Sequence, residues 1–78
     1  MHKKYMAQEV IEAPLPGKII RVDVTAGNSV DEGGVICIIE AMKMENPILS
    51  PAKASVVEVA VSAGQAVKTG EKIAVIEY

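Results

Sequence analysis

Pro14 to Glu40, PLPGKIIRVDVTAGNSVDEGGVICIIE, lies over Pro51 to Glu77, PAKASVVEVAVSAGQAVKTGEKIAVIE, at a constant offset of 37 residues and without a gap. Pro14 matches Pro51, Val22 matches Val59, Val24 matches Val61 and Val30 matches Val67. Ala26-Gly27 matches Ala63-Gly64, Gly33 matches Gly70, and Ile39-Glu40 matches Ile76-Glu77. Two copies of one supersecondary unit predict a pseudo-two-fold packing, because neither copy buries its apolar face alone.

Within each copy the pattern is that of strands and turns. Ile20, Val22 and Val24 alternate with Arg21, Asp23 and Thr25, and Val57, Val59 and Val61 alternate with Glu58, Ala60 and Ser62. Period two predicts half-buried strands. Ala26-Gly27-Asn28 and Ala63-Gly64-Gln65 supply turns, and Gly33 and Gly70 break the chain before the apolar strands Val35 to Ile39 and Ile73 to Ile76. The fold class expected is all-β, a small flattened barrel or sandwich of seven or eight short strands.

Composition agrees. The 78 residues hold eleven Val and nine Ile against two Leu and no Phe or Trp, a β-branched bias that favours strands. One small domain is the ceiling at this length. A formal charge of -2 spread along the chain, with no basic face, argues against nucleic-acid binding. The longest apolar run, Val35 to Ile39, is far short of the roughly 20 residues that span a bilayer, so no direct membrane insertion is expected. Cys37 is the only cysteine. Flanked by Ile36 and Ile38, it reads as a small buried side chain, and with no signal peptide it fits a reducing, cytoplasmic setting. His2 lies in the polar leader Met1-His2-Lys3-Lys4 and reads as a tail residue, so ligand spacing for a metal is absent. Residues 1–11 are expected to be a flexible tail before a domain over 12–78.

The segment Ala41 to Leu49 lies outside the repeats and joins them, while Tyr78 falls where the same segment would begin again. The connector and the chain termini are therefore expected at opposite ends of the domain. A hairpin tip far from both termini suits a swinging attachment site, since whatever tethers the domain does not obstruct it.

That connector begins Glu40-Ala41-Met42-Lys43-Met44-Glu45-Asn46. Its Ala-Met-Lys-Met core resembles the attachment motif of biotinyl domains in the biotinyl/lipoyl attachment family. The flanks Ala13-Pro14-Leu15-Pro16-Gly17 and Ser50-Pro51, and the paired glycine turns, are similar to that family as well, so the likeness covers about residues 12 to 78. The resemblance implies a barrel-sandwich hybrid of two four-stranded antiparallel sheets, with a biotinyl lysine, here Lys43, between the fourth and fifth strands. It implies that biotin protein ligase acylates Lys43 from biotinyl-AMP, which removes the ammonium charge. Biotin then acts as a swinging arm, moving a carboxyl group between a biotin carboxylase and a carboxyltransferase or decarboxylase. On this reading the chain is a carrier, not an enzyme. Ala41, Met42 and Met44 are expected to offer soft contacts to the ligase and to the carboxylase sites. Glu40 and Glu45 are expected to be solvated charges with a part in ligase docking.

Two positions depart from the family pattern. Ala54 stands where the first copy has Gly17, which would strain a turn needing positive φ by about 1 kcal/mol. Pro47 removes a backbone donor where the returning strand is expected to begin. The two halves also align without the inserted thumb of many acetyl-CoA carboxylase carriers. The chain is more similar to thumbless carriers of pyruvate, propionyl-CoA and methylmalonyl-CoA carboxylases, transcarboxylase and the sodium-pumping decarboxylases. The rival readings are a lipoyl domain, whose usual flank is Asp-Lys-Ala, and an unmodified domain of the same barrel type, as in membrane-fusion proteins. A free-standing enzyme is the poorest, because no nucleophile, base and orienting partner can be assembled.

Overall fold

The alternating segments become eight strands in the computed structural model, which describes residues 7–78. They are β1 (Gln8–Glu12), β2 (Gly17–Val22), β3 (Ser29–Val30), β4 (Val35–Ala41), β5 (Met44–Leu49), β6 (Ala54–Val59), β7 (Ala66–Val67) and β8 (Lys72–Glu77). Two four-stranded sheets form, in the orders β1-β8-β6-β3 and β5-β4-β2-β7, with every neighbouring pair antiparallel. Exchanging each strand with the one four places away converts the first order into the second. The fold is therefore all-β and internally duplicated.

The duplication reaches further than the aligned segments. β1 lies 37 residues before residues 45–49 of β5, so the repeated unit starts with a strand on the N-terminal side of Pro14. Residues 8–11 thus belong to the sheet and correct the expectation of a tail through residue 11. Ile11 explains why, because it is buried in the core as its counterpart Ile48 is, and one inward isoleucine among Gln8, Glu9 and Glu12 is a thin signal. The leader Met1 to Met6, with His2, lies outside the described residues.

The inward set also differs by one residue from the alternation. Ile19 and Val56, not Ile20 and Val57, are buried. The register of β2 on β4 shifts between Ile19 and Arg21, and that of β6 on β8 between Val56 and Glu58. A bulge inserts one residue and turns the chain to the other face. Positions 20 and 57 are equivalent, so the bulge belongs to the repeated unit. Val22, Val24 and Val59 pack against the core's edge, while Ile19, Ile36, Ile39, Ile73, Ile76 and Cys37 fill its centre. The copies are stitched by equivalent bonds: Gly27 N–H donates to Val56 C=O (2.8 Å) and Gly64 N–H to Ile19 C=O (2.6 Å). Both glycines have positive φ.

The β4–β5 hairpin and the pair Ala7–Tyr78 occupy opposite ends. The pair Ala41–Met44 that closes the β4–β5 hairpin is equivalent to Ala7–Tyr78, which exchange N–H to C=O bonds of 2.9 and 3.0 Å. β3 pairs with Ala54 and Ser55, and Ser55 lies across from Glu77 at the terminal end of the first sheet. From β3 a tight turn, closed by Gly34 N–H donating to Asp31 C=O (2.9 Å), leads directly into the start of β4. That start is the end of the second sheet remote from the hairpin, so Ala7 and Tyr78 lie away from the tip.

Two further expectations are corrected. Neither Gly17 nor Ala54 has positive φ, so Ala54 carries no turn strain. What Gly17 supplies is space, since a Cβ there would lie 2.5 Å from the Glu40 carbonyl oxygen and 2.6 Å from Ile39 Cγ2. β5 begins at Met44, three residues before Pro47, and Pro47 is accommodated because β5 is an edge strand.

Candidate functional site

β4 carries the chain out along Cys37, Ile38, Ile39, Glu40 and Ala41, and β5 returns it from Met44 in the register Ala41↔Met44, Glu40↔Glu45, Ile39↔Asn46. Only Met42 and Lys43 remain for the loop. Their φ values are 54° and 64°, the two left-handed residues of a type I′ turn, whose twist matches that of the flanking strands. Asn-Gly is the usual choice there. An L side chain in this region costs roughly 1–2 kcal/mol, so Met-Lys is held in place by the ladder beneath it. Asn46 is part of that ladder: its side-chain amide donates to Ile39 C=O and to Met44 C=O, both at 3.2 Å.

The side chains at this tip face solvent. Met42 is 92% exposed and Met44 64%, while Lys43, Glu40 and Glu45 are exposed and Ala41 is half-buried beside the closing pair. The tip therefore carries two large apolar side chains that the fold itself does not bury. Among the described residues Lys43 takes part in no ion pair; those present join Arg21 to Asp23 and Lys72 to Glu58. Its amine ends a free four-carbon stem, suited both to nucleophilic attack and to serving as a tether.

Below the tip the charges are ordered by register. Lys18 on β2, Glu40 on β4 and Glu45 on β5 lie side by side across the sheet. Direct opposition of two carboxylates is unfavourable. At the equivalent place in the other sheet stand Glu77 and Gln8, where Gln8 Nε2 donates to Glu77 Oε1 (2.6 Å). Nearby, Arg21 Nε donates to Asp23 Oδ1 at 2.7 Å, which holds the guanidinium's pKa above its ordinary value, and Glu45 adds to the effect.

The structure brings together every residue singled out at the connector: Glu40, Ala41, Met42, Lys43, Met44 and Glu45. Sequence reasoning missed the paired left-handed turn and the brace from Asn46. The one signal for the brace is an amide two residues along β5 from Met44, in the position across from Ile39. Cys37 is fully buried, and burial, with Asp23 adding to it, pushes its thiol up to about 11. No cluster of His, Cys, Asp and Glu capable of holding a metal occurs among the described residues, nor does any helix long and apolar enough to cross a membrane.

Comparison with known proteins gives concordant results. The family model described as "Biotin-requiring enzyme" matches residues 9–76. The methylmalonyl-CoA decarboxylase subunit gamma of Veillonella parvula is 51% identical over 43 residues, covering 55% of this chain and 33% of that protein. The propionyl-CoA carboxylase alpha chain of Ruegeria pomeroyi is 47% identical over 45 residues, covering 58% of this chain and 7% of that one. A solved single-chain, multi-domain long-chain acyl-CoA carboxylase superposes with a TM-score of 0.86 and 28% identity, over 99% of this chain and 8% of its own. The chain thus spans a third or less of the length of these relatives.

Proposed function

The chain belongs to the biotin-requiring enzyme family, and from that premise we propose that Lys43 is the residue to which biotin is joined, making the two-residue turn the working end of a carboxyl carrier. The observation that carries this reading is the geometry of the tip. Lys43 stands in a left-handed turn, exposed, without an ion pair among the described residues, between two exposed methionines.

The residues present fit the group. Lys43 Nζ, once its ammonium has given up a proton, attacks the acyl carbon of biotinyl-AMP; the amide C–N bond forms as the acyl–phosphate C–O bond breaks, AMP leaves and a second proton is released, so the domain gains one unit of negative charge. Held there, biotin supplies a ring nitrogen able to carry a carboxyl group. Every other contribution is the protein's own. The turn fixes the direction in which the stem leaves the sheet, and Asn46 keeps the strands beneath it in register. Met42 and Met44 offer apolar, conformationally adaptable surface to the proteins that receive the tip. Tethering then replaces diffusion by a high effective concentration at each site.

The partners of this reading are a biotin protein ligase that recognises Ala41, Met42, Met44, Glu40 and Glu45, a biotin carboxylase, and a carboxyltransferase or decarboxylase. The carrier itself is non-catalytic, and its proposed setting is the cytoplasm, with Cys37 reduced. Co-expression with a biotin ligase in the presence of biotin, followed by intact-mass and peptide mass spectrometry, is the test. One biotinyl group on Lys43, absent in Lys43→Arg, is expected. An unmodified chain, or a lipoyl group in its place, would overturn the assignment.

A further inference from the structure

The two edge strands β1 and β5 face a shallow groove lined by Glu9 to Glu12, Pro14, Pro47 to Leu49 and Pro51. The internal duplication makes its two sides directly comparable, and they are not alike. Position 10 of β1 is equivalent to position 47 of β5, and the residues there are Val10 and Pro47.

The difference falls on the backbone that faces outward. Ala7 and Tyr78 exchange both of their main-chain bonds, and along an antiparallel pair such residues alternate with pairs whose N–H and C=O point away from each other. In the register Gln8↔Glu77, Glu9↔Ile76, Val10↔Val75, the outward-pointing residues are Gln8 and Val10. By the same alternation from Ala41↔Met44, Pro47 faces outward on β5. One edge is therefore closed by a residue with no N–H to give, a common protection of edge strands. The other, at Val10 in the middle of a five-residue strand, has no partner for its donor and acceptor among the described residues. β3 and β7, the remaining edges, are two residues each and too short to extend.

Side chains around the open edge specify what it would take. Val10 and Leu49 are each 48% exposed, and with the three prolines they form an apolar floor. Glu9 and Glu12 supply negative charge, and neither is in an ion pair among the described residues. Glu9 Oε1 accepts from Tyr78 Oη (2.7 Å). Lys72, across from Glu12, extends instead to Glu58 at 3.2 Å. A second copy of β1 would bring its own Glu9 and Glu12 against these carboxylates and is disfavoured.

We infer that the free edge of β1 is a docking site for an extended peptide segment with alternating basic and apolar residues, which adds as a strand through the main chain of Val10 and Gln8. Its apolar side chains rest on Val10, Leu49 and the prolines, and its cations meet Glu9 and Glu12. Strand addition draws affinity from the main chain and selectivity from alternate side chains. The site lies off the tip and stands whether or not Lys43 is modified.

The probe is the peptide acetyl-Lys-Val-Lys-Val-Lys-amide, titrated into the isotopically labelled chain and followed by amide NMR and hydrogen exchange. Saturable binding in about the millimolar range is expected, with shifts and new protection at Gln8 and Val10. Val10→Pro copies into β1 what β5 already tolerates, keeps the charge unchanged and should weaken binding about tenfold. Glu12→Gln, which leaves the backbone intact, should weaken it severalfold. No saturable binding would overturn the proposal, as would equal binding of the Glu-Val-Glu-Val-Glu peptide, or binding indifferent to both substitutions. Self-association through β1 in the absence of peptide would overturn it too.

Discussion

Met42 and Lys43 share a turn conformation that favours glycine, and of the two only Lys43 is the proposed attachment residue. Met42→Gly should therefore relieve strain of about 1 kcal/mol, raising Tm by roughly 4–8 °C for a domain of this size. The same change removes the most exposed apolar contact of the tip, so a time course of biotinylation read by mass spectrometry should slow. An unchanged Tm would mean that the turn stores no strain. Asn46→Ala acts in the opposite sense: it leaves the carbonyls of Ile39 and Met44 without their shared donor and should lower stability by about 1 kcal/mol in urea unfolding. Cys37 gives a pH signature. Its thiol pKa rises from 9.0 to about 11 on folding, so the folded form resists ionisation that the unfolded chain accepts. The stability this contributes is complete below pH 9 and is lost progressively as pH climbs towards about 11. Below pH 9 a thiol reagent should label Cys37 only at the rate of unfolding, and rapid labelling of the native chain would contradict its burial.

The hairpin as an element depends on a glycine outside it. Gly17 opens β2 against the last residues of β4, and the backbone of Glu40 fills the place of the missing Cβ. Gly17→Ala should force β4 outward and lose about 1–3 kcal/mol, whereas Ala54→Gly, at the equivalent place, should lose no more than about 1 kcal/mol. Urea midpoints of the two variants test this, and equal losses would mean that the copies are alike there. Other features of the elements were legible only in part. The strand bodies of both copies follow from period two, yet Ile19-Ile20 and Val56-Val57 are adjacent β-branched pairs, and alternation does not say which member faces inward when a bulge lies between strands. β1 carries a single inward isoleucine among charges, too little for periodicity to register. At the tip the motif around Lys43 was plain from residue types, but Met-Lys has none of the turn chemistry that announces a two-residue loop. The hairpin's register, and with it the Glu40–Glu45 opposition, was therefore hidden.

At the scale of the whole molecule, a constant offset of 37 residues was enough to place the connector and the termini at opposite ends, because duplication turns one half's geometry into the other's. It also makes the pair Ala7–Tyr78 interpretable: these two are paired as Ala41 and Met44 are, in the geometry of a hairpin without its two-residue loop. Joining Tyr78 to Ala7 through Asn-Gly, with residues 1–6 removed, should close that hairpin in the same type I′ geometry. New termini cut between Lys53 and Ala54 fall in the bend between β5 and β6, where Lys53 is exposed and an opening of the chain is best tolerated. This permutant runs β6 to β8 and then β1 to β5, so every strand pair survives while the order of the halves is reversed. It should unfold in one cooperative transition, with stability within about 2 kcal/mol of the parent, since changing loop connectivity shifts closure entropy only modestly. Lys43 should accept biotin at the parent rate, because the tip lies at the other end. Denaturant unfolding followed by circular dichroism reads the first expectation and mass spectrometry the second. A permutant that folds but is biotinylated slowly would show that the two ends communicate through the core, and one that fails to fold would show that the halves are less equivalent than their strand pairing makes them.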